Sequence, residues 1–363
     1  MKKEQIKYPS INGLRAISIF LVIIHHLSFQ EHLFSEISKV KWILPLTSFI
    51  QDGHLGVNIF FVISGFLITS LMLNEETSTN TISLRNFYIR RTLRIFPAYF
   101  LLLFVYFILQ LFHIVNISNM SWVTAITYTK YLNWKLDWVT AHLWSLSIEE
   151  HFYLFWPLIF IYASKFRKKI VVGLILMVPI IRVALFFQPL NWIDELLIFT
   201  RIDSIATGCL FALYKDEILK KIQKNWKKVF YFSVITIFCL TILRIIMIKI
   251  NFDFIFIPLG TTHGTIANFA IGFLMMYSIF GPRNIWFKFL NLKVINYIGL
   301  LSYSIYLWQQ IFISGDNNFG TTSPENLLFI LIIAMSSYHL IEKPFLKLKT
   351  KFTVLNPKST TNI

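Results

Sequence analysis

Stretches of roughly 20 mostly apolar residues recur along the whole chain, about the number a helix needs to cross a hydrocarbon core. They fall near 11–30, 54–73, 95–115, 147–164, 170–187, 196–214, 229–248, 262–280, 297–314 and 325–342. In lipid the backbone must satisfy its own hydrogen bonds, so such a chain folds as a bundle of spanning helices. The chain is 56% hydrophobic and 14% charged, with 37 Phe and a mean hydropathy of +0.62. A soluble globule of that composition would expose large apolar patches, which only a bilayer tolerates.

Positive charge tests this layout. With the N-terminus placed inside, 25 of the 34 Lys and Arg fall in inner segments and 5 in outer ones. The other four, Arg15, Arg182, Arg201 and Arg244, lie within or beside spans. That asymmetry is the positive-inside pattern. The sequence predicts an all-α polytopic membrane bundle of about ten transmembrane helices, with both termini cytoplasmic. A cytoplasmic N-terminus is expected at 1–10, one transmembrane domain at 11–345 and a short basic tail at 346–363. The net charge of +16 is spread over short loops rather than gathered in one patch, which argues against a nucleic-acid partner. Cys209 and Cys239 sit inside apolar runs, where they are expected as buried small hydrophobes; no CxxC pair suggests a metal. The first apolar run lacks a small-residue cleavage site and reads as an uncleaved span. Trp122, Tyr128, Tyr131, Trp134 and Trp138 enrich the outer loop near 116–146 and suggest that it lies on the membrane surface.

Ionisable groups within spans are costly and therefore mark candidate sites. The first span carries Arg15, His25 and His26. Arg15 and His26 are eleven residues apart, about 20° from three full turns, so they share one helical face roughly 16 Å apart. A snorkelling arginine and interfacial histidines would give the same spacing. Arg91 and Arg94, three apart at the start of the third span, suit either a phosphate grip or a positive-inside anchor. The segment AHLWSLSIEEHFYLFWPL gathers His142, Trp144, Ser145, Ser147, Glu149, Glu150 and His151 at the outer start of the fourth span. There Glu149 or Glu150 is placed to orient His26. Arg201 and Asp203 open the sixth span and are expected to pair with each other or with those glutamates. Glu342 and Lys343 read as an interface pair. No GxxxxGK[ST] loop, HExxH motif or GxSxG elbow occurs.

Seven segments in order, INGLRAISIFLVIIHHL, GVNIFFVISGFLIT, RRTLRIFPAYF, HLWSLSIEEHFYLFWPL, TRIDSIATG, IGLLSYSIYLW and IEKPF, resemble the acyltransferase 3 family of integral-membrane acyltransferases. The resemblance runs from about residue 11 to 345. It implies a cytoplasmic acyl donor such as acetyl-CoA, no metal, and an acceptor hydroxyl on a cell-surface glycan or its lipid-linked precursor, such as the O-antigen of lipopolysaccharide. It also implies a bacterial inner-membrane location. By the family's motifs, Arg15 and His26, Arg91 and Arg94, Trp144, Ser145 and Glu149, and Arg201 and Asp203 are the functional positions. Many members carry His where this chain has Gln309. Some members add an extracytoplasmic esterase-like domain, which is not expected here because the chain stops soon after its last span.

On that resemblance, Arg91 and Arg94 hold the donor phosphates. His26 acts as general base or transient acyl acceptor with Arg15 and Glu149, and Glu149 fixes its tautomer. Trp144, Ser145, Glu150, Arg201 and Asp203 shape the acceptor site. Two alternatives use the same residue types: a transporter or flippase of a lipid-linked or anionic solute, and an acyltransferase acting on a small molecule.

Overall fold

The computed structural model describes residues 8–30, 49, 52–133, 137–186, 197–250, 257–313 and 324–352. Residues 1–7, Trp134, the tail beyond 352 and the outer-segment lysines Lys39, Lys41 and Lys135, counted above, lie outside the described residues. The long helices are α1 (Ile11–Gln30), α2 (Gly53–Thr79), α3 (Leu84–Leu111), α4 (Leu143–Tyr162), α5 (Arg167–Phe186), α6 (Leu197–Leu213), α7 (Trp226–Ile250), α8 (Ile257–Phe280), α9 (Lys293–Phe312) and α10 (Glu325–Ser337). No strand occurs among the described residues. Among the described residues, six stretches are long and apolar enough to cross a membrane: Ile11–Ser28, Gly53–Thr79, Leu84–Leu111, Lys215–Leu243, Thr262–Phe280 and Glu325–Phe352.

Two helices outrun the ranges expected from the sequence, and ion pairs join the extra turns to their neighbours. α2 continues to Thr79, where Glu75 meets Arg90 at 2.7 Å and Glu76 accepts from Nη1 and Nη2 of Arg167 at 2.7 Å. α3 starts at Leu84, well before the predicted 95, and carries Arg90 to that pair. Asp52 and Ser83 cap the starts of α2 and α3 by accepting from the N–H groups of Leu55 and Asn86.

Packing at the centre depends on small residues. A Cβ on Gly65 of α2 would lie 2.0 Å from the Ile205 carbonyl oxygen, and one on Gly208 of α6 would lie 2.1 Å from that of Val62. The two backbones therefore touch reciprocally, the usual way helices associate in lipid. α1 docks on α9 in the same manner, with Gly299 against the Asn12 carbonyl. Beyond α10 a π-helical turn, Tyr338–Glu342, leads into the short helix Lys343–Lys349.

Two expectations from the sequence change here. Cys239 is exposed on α7, whereas Cys209 is buried. Tyr128 and Tyr131 are core residues rather than interfacial ones, Tyr128 stacking on Tyr99 with ring centroids 4.3 Å apart. The short helix Asn119–Ile126 does expose Met120, Val123 and Ile126, as an interfacial helix would. Beneath it Lys130 is fully buried, its Nζ donating to Ser121 Oγ at 2.6 Å and lying 3.9 Å from Asp137.

Burial pulls the Lys130 ammonium down to about 8, against the opposing pull of Asp137. A lysine with a lowered folded value holds fewer protons folded than unfolded between about pH 8 and its ordinary value near 10.5, so stability rises with pH across that window. The thermal midpoint of the detergent-solubilised protein should rise over that range, and Lys130→Met should remove the rise. Separately, Gly208→Val overpacks the α2–α6 contact and should cost about 1–3 kcal/mol or more, read as a lowered midpoint in the same assay.

Candidate active site

An elongated cavity of about 270 Å³ runs along one face of α2. Its lining includes Val57, Phe60, Ser64, Leu67, Leu71, Asn74 and Ser78, which recur every three or four residues. From Val57 to Ser78 that face spans about 32 Å at the helical rise. The two ends differ in character. Asn74, Glu75, Ser78, Arg90, Arg91, Arg94 and Lys349 form one; Val57, Phe60, Phe61, Leu146, Ser145 and Tyr306 form the other. Arg15, Glu149, Tyr153 and Tyr303 also line it.

Three cations in this cavity lack an ionic partner. Among the described residues, none of Arg15, Arg91 and Arg94 makes an ion pair. Arg91 instead lies over the Tyr153 ring, 4.8 Å from its centroid, and 5.7 Å from that of Phe87. Glu149 faces Ser64 and all three arginines. Ser64 Oγ shares a hydrogen bond with the Tyr153 hydroxyl. Glu342, buried and accepting a hydrogen bond from Ser304, also faces Arg94 and Arg15, so it belongs to this charge cluster rather than to an interface pair with Lys343. Unpaired guanidiniums enclosed by apolar helices form an anion-binding environment.

His26 does not line this cavity. Its ring meets the edge of Trp138, with centroids 5.5 Å apart, and has His25, His142 and Gln309 as neighbours. Its Nδ1 is buried without a hydrogen-bond partner, and both amide atoms of the buried Gln309 are likewise unpartnered. Tyr306 stands between the two regions. Its hydroxyl donates to the His142 carbonyl at 2.7 Å and shares a hydrogen bond with Ser145, while its ring lies 5.4 Å from that of His142. The order from the apolar end outward is thus Ser145 and Tyr306, then His142, then His26 with Gln309.

Several predicted residues converge and others do not. Arg15, Arg91, Arg94, Ser145 and Glu149 line one cavity, and Glu150 lies beside it, near Glu149 and Arg91. Trp144 packs edge-on against Phe61 at 6.3 Å. The expected link between Glu149 and His26 is absent from the geometry: Glu149 is one and a half turns into α4, which carries it down to the arginines. Arg201 and Asp203 separate as well. The Asp203 carboxylate, fully buried, accepts from Arg182 at 3.0 Å and from Thr265 at 2.6 Å, whereas Arg201 reaches His54 at 3.3 Å. Two residues apart on a helix, they point about 200° apart. Arg182, to which the sequence assigned nothing, also donates to the Thr200 carbonyl and so ties α5 to α6. Tyr153 and Lys349 escaped the sequence reading too; Tyr153 follows Glu149 by four residues, a spacing that places both on one face.

A helical bundle with this arginine-lined cavity belongs, by its sequence, to a known class. Residues 8–338 match the family model of the acyltransferase domain of acyltransferase 3 type, and the chain is a member of that family. It is similar to the O-acetyltransferase OatA of Staphylococcus aureus strain NCTC 8325 / PS 47, with 28% identity over 377 residues covering 96% of this chain and 59% of OatA. The OatA of strain COL shows the same identity and coverage. The chain therefore spans about three fifths of the length of these relatives. No solved structure was found to match it.

Removing either partner of a buried ion pair typically costs about 3–5 kcal/mol. Arg182→Ala and Asp203→Ala should each destabilise on that scale, and the double variant by little more than either alone. An additive cycle in thermal or chemical unfolding would show the two groups to be independent.

Proposed function

We propose that this chain is a membrane O-acetyltransferase that takes an acyl group from cytoplasmic acyl-CoA and passes it to a hydroxyl of a cell-surface glycan or its lipid-linked precursor. The observation that carries this reading is the two-ended channel: unpaired arginines at one end, an apolar end beside Tyr306, and His26 just beyond. Family membership and the O-acetyltransferase name of the relatives support it. The positive-inside pattern supports ten spans, cytoplasmic termini and multi-pass insertion in a bacterial inner membrane.

On this reading Arg91, Arg94 and Arg15 bind the donor phosphates, and Glu149 keeps the three guanidiniums in place. The pantetheine arm lies along α2 with its thioester at the apolar end. His26 takes the proton of the acceptor hydroxyl as that oxygen attacks the thioester carbonyl, and CoA leaves as a thiolate that recovers the proton. Gln309, rather than Glu149, is the polar side chain beside the imidazole. Trp144, Ser145, Glu150 and Arg201 border the route from donor to acceptor, and Asp203 acts on it through Arg182.

Membranes containing the protein, given labelled acetyl-CoA and surface glycan, should transfer label to glycan as an alkali-labile ester. His26→Ala should abolish transfer at unchanged protein level, and near-normal turnover in that variant would remove His26 from the mechanism. Movement of a glycan lipid across the bilayer without incorporation of label would favour transport instead.

A further inference from the structure

We propose that His142 and Gln309, together with Nδ1 of His26, form the binding site for a vicinal diol of the acceptor sugar, in which one hydroxyl is acylated and its neighbour is read by hydrogen bonds. The inference rests on the O-acetyltransferase reading above and names the acceptor chemistry within it.

The three side chains share one unmet need. Nδ1 of His26, Nδ1 of His142 and both amide atoms of Gln309 are buried and make no hydrogen bond among the described residues. Gln309 is 0% exposed and His142 2%, so bulk water does not reach them. A buried donor or acceptor without a partner costs stability, and here four such atoms stand on neighbouring side chains. Polar groups beside them are satisfied. Gln310, the next residue of α9, accepts from the His142 backbone N–H at 3.0 Å, and the Trp138 indole donates to the Ile313 carbonyl.

The geometry sets which atoms accept. Nε2 of His142 lies 3.1 Å from the Leu307 carbonyl oxygen. A carbonyl only accepts, so Nε2 carries the proton, and Nδ1 of the neutral ring presents a lone pair. His26, the base of the proposed reaction, presents a lone pair as well. Gln309 adds a third acceptor at Oε1 and N–H donors at Nε2.

Three acceptors beside one amide nitrogen call for a ligand rich in O–H groups, which both donate and accept. A carboxylate or phosphate only accepts and would leave all three lone pairs unmet; a single hydroxyl would meet one. Adjacent hydroxyls of a sugar ring fit. The reacting hydroxyl donates to His26, and its neighbour donates to His142 and accepts from Gln309. The His26 ring is itself only part-buried, beside part-buried Trp138, so the cluster borders open space on that side. Tyr306 closes the other side against His142.

The test uses the full chain in membranes with labelled acetyl-CoA and surface glycan, and with cyclohexane-1,2-diol and cyclohexanol as competing probes. The diol should inhibit about tenfold more strongly than the mono-ol, the value of one more bonded hydroxyl. Gln309→Leu should raise the KM for glycan about tenfold, leave the KM for acetyl-CoA unchanged and erase the preference for the diol. Gln309→His, which keeps one donor and one acceptor, should retain most of the glycan affinity. Removing an unmet amide should also raise the thermal midpoint of the detergent-solubilised Gln309→Leu protein, which separates lost binding from lost folding. Equal inhibition by diol and mono-ol, an unchanged glycan KM or a lowered midpoint overturns the assignment and leaves the acyltransferase reading standing. Absence of label transfer by the unaltered chain overturns both.

Discussion

Three guanidinium groups that make no ion pair among the described residues, enclosed by apolar helices with Glu149, Glu150 and Glu342 nearby, set the demands on the rest of this molecule. Like charges in a low-dielectric interior repel strongly and would push their helices apart unless other contacts hold them. Those contacts are in place on every side. Gly65 and Gly208 bring α2 and α6 to backbone contact, Gly299 brings α9 to α1, and Glu75 with Arg90 and Glu76 with Arg167 tie α2 to α3 and α5. Small residues supply packing that lipid does not compete for, and paired charges at the helix ends supply direction. The unpaired cations are thus held in a fixed arrangement rather than a mobile one, as pre-organised anion binding requires.

The Asp203 cluster provides the contrast. Its carboxylate is buried as deeply as any group in the chain, yet Arg182 and Thr265 satisfy it completely. These contacts tie α6 to α5 and α8. Because α6 also presents Arg201 to His54, at the start of α2, this fixing sets where that cation stands. The difference between the two clusters is a difference in neutralisation, and it separates groups that hold structure from groups that wait for a ligand.

Much of this was legible in the sequence. The apolar periodicity located the helices, because a spanning helix has no alternative in lipid. The spacing of Arg15 and His26 put both on the inward face of α1, while Phe20 faces outward. The Arg91–Arg94 pair pointed to the cavity because both residues fall on the same turn. What escaped was tertiary. The sequence neighbours Arg201 and Asp203 suggested a pair, but a two-residue separation on a helix turns them apart, and the true partner of Asp203 lies on another helix. Glu149 follows the outer loop closely in sequence, yet six residues of helix carry it about 9 Å inward, away from His26 and toward the arginines. Lys349 gave no signal among the lysines near the C-terminus, because its place in the cavity lining is a tertiary fact.

Separation of charge from chemistry follows from the same geometry. The arginines and Glu149 occupy one length of the channel, and His26 lies beyond Tyr306 with Gln309 as its polar neighbour. A histidine oriented by a carboxylate can store a proton, because the carboxylate stabilises the imidazolium. An amide beside the ring does not offer that stabilisation. On the proposed reaction, a proton taken from the acceptor hydroxyl has no carboxylate to hold it on His26, and the strongest base formed in the same step is the departing thiolate of CoA. Immediate return of the proton to that sulfur is therefore favoured. A single concerted passage of acyl group one way and proton the other suits a site that keeps its permanent charges at a distance from the reacting atoms.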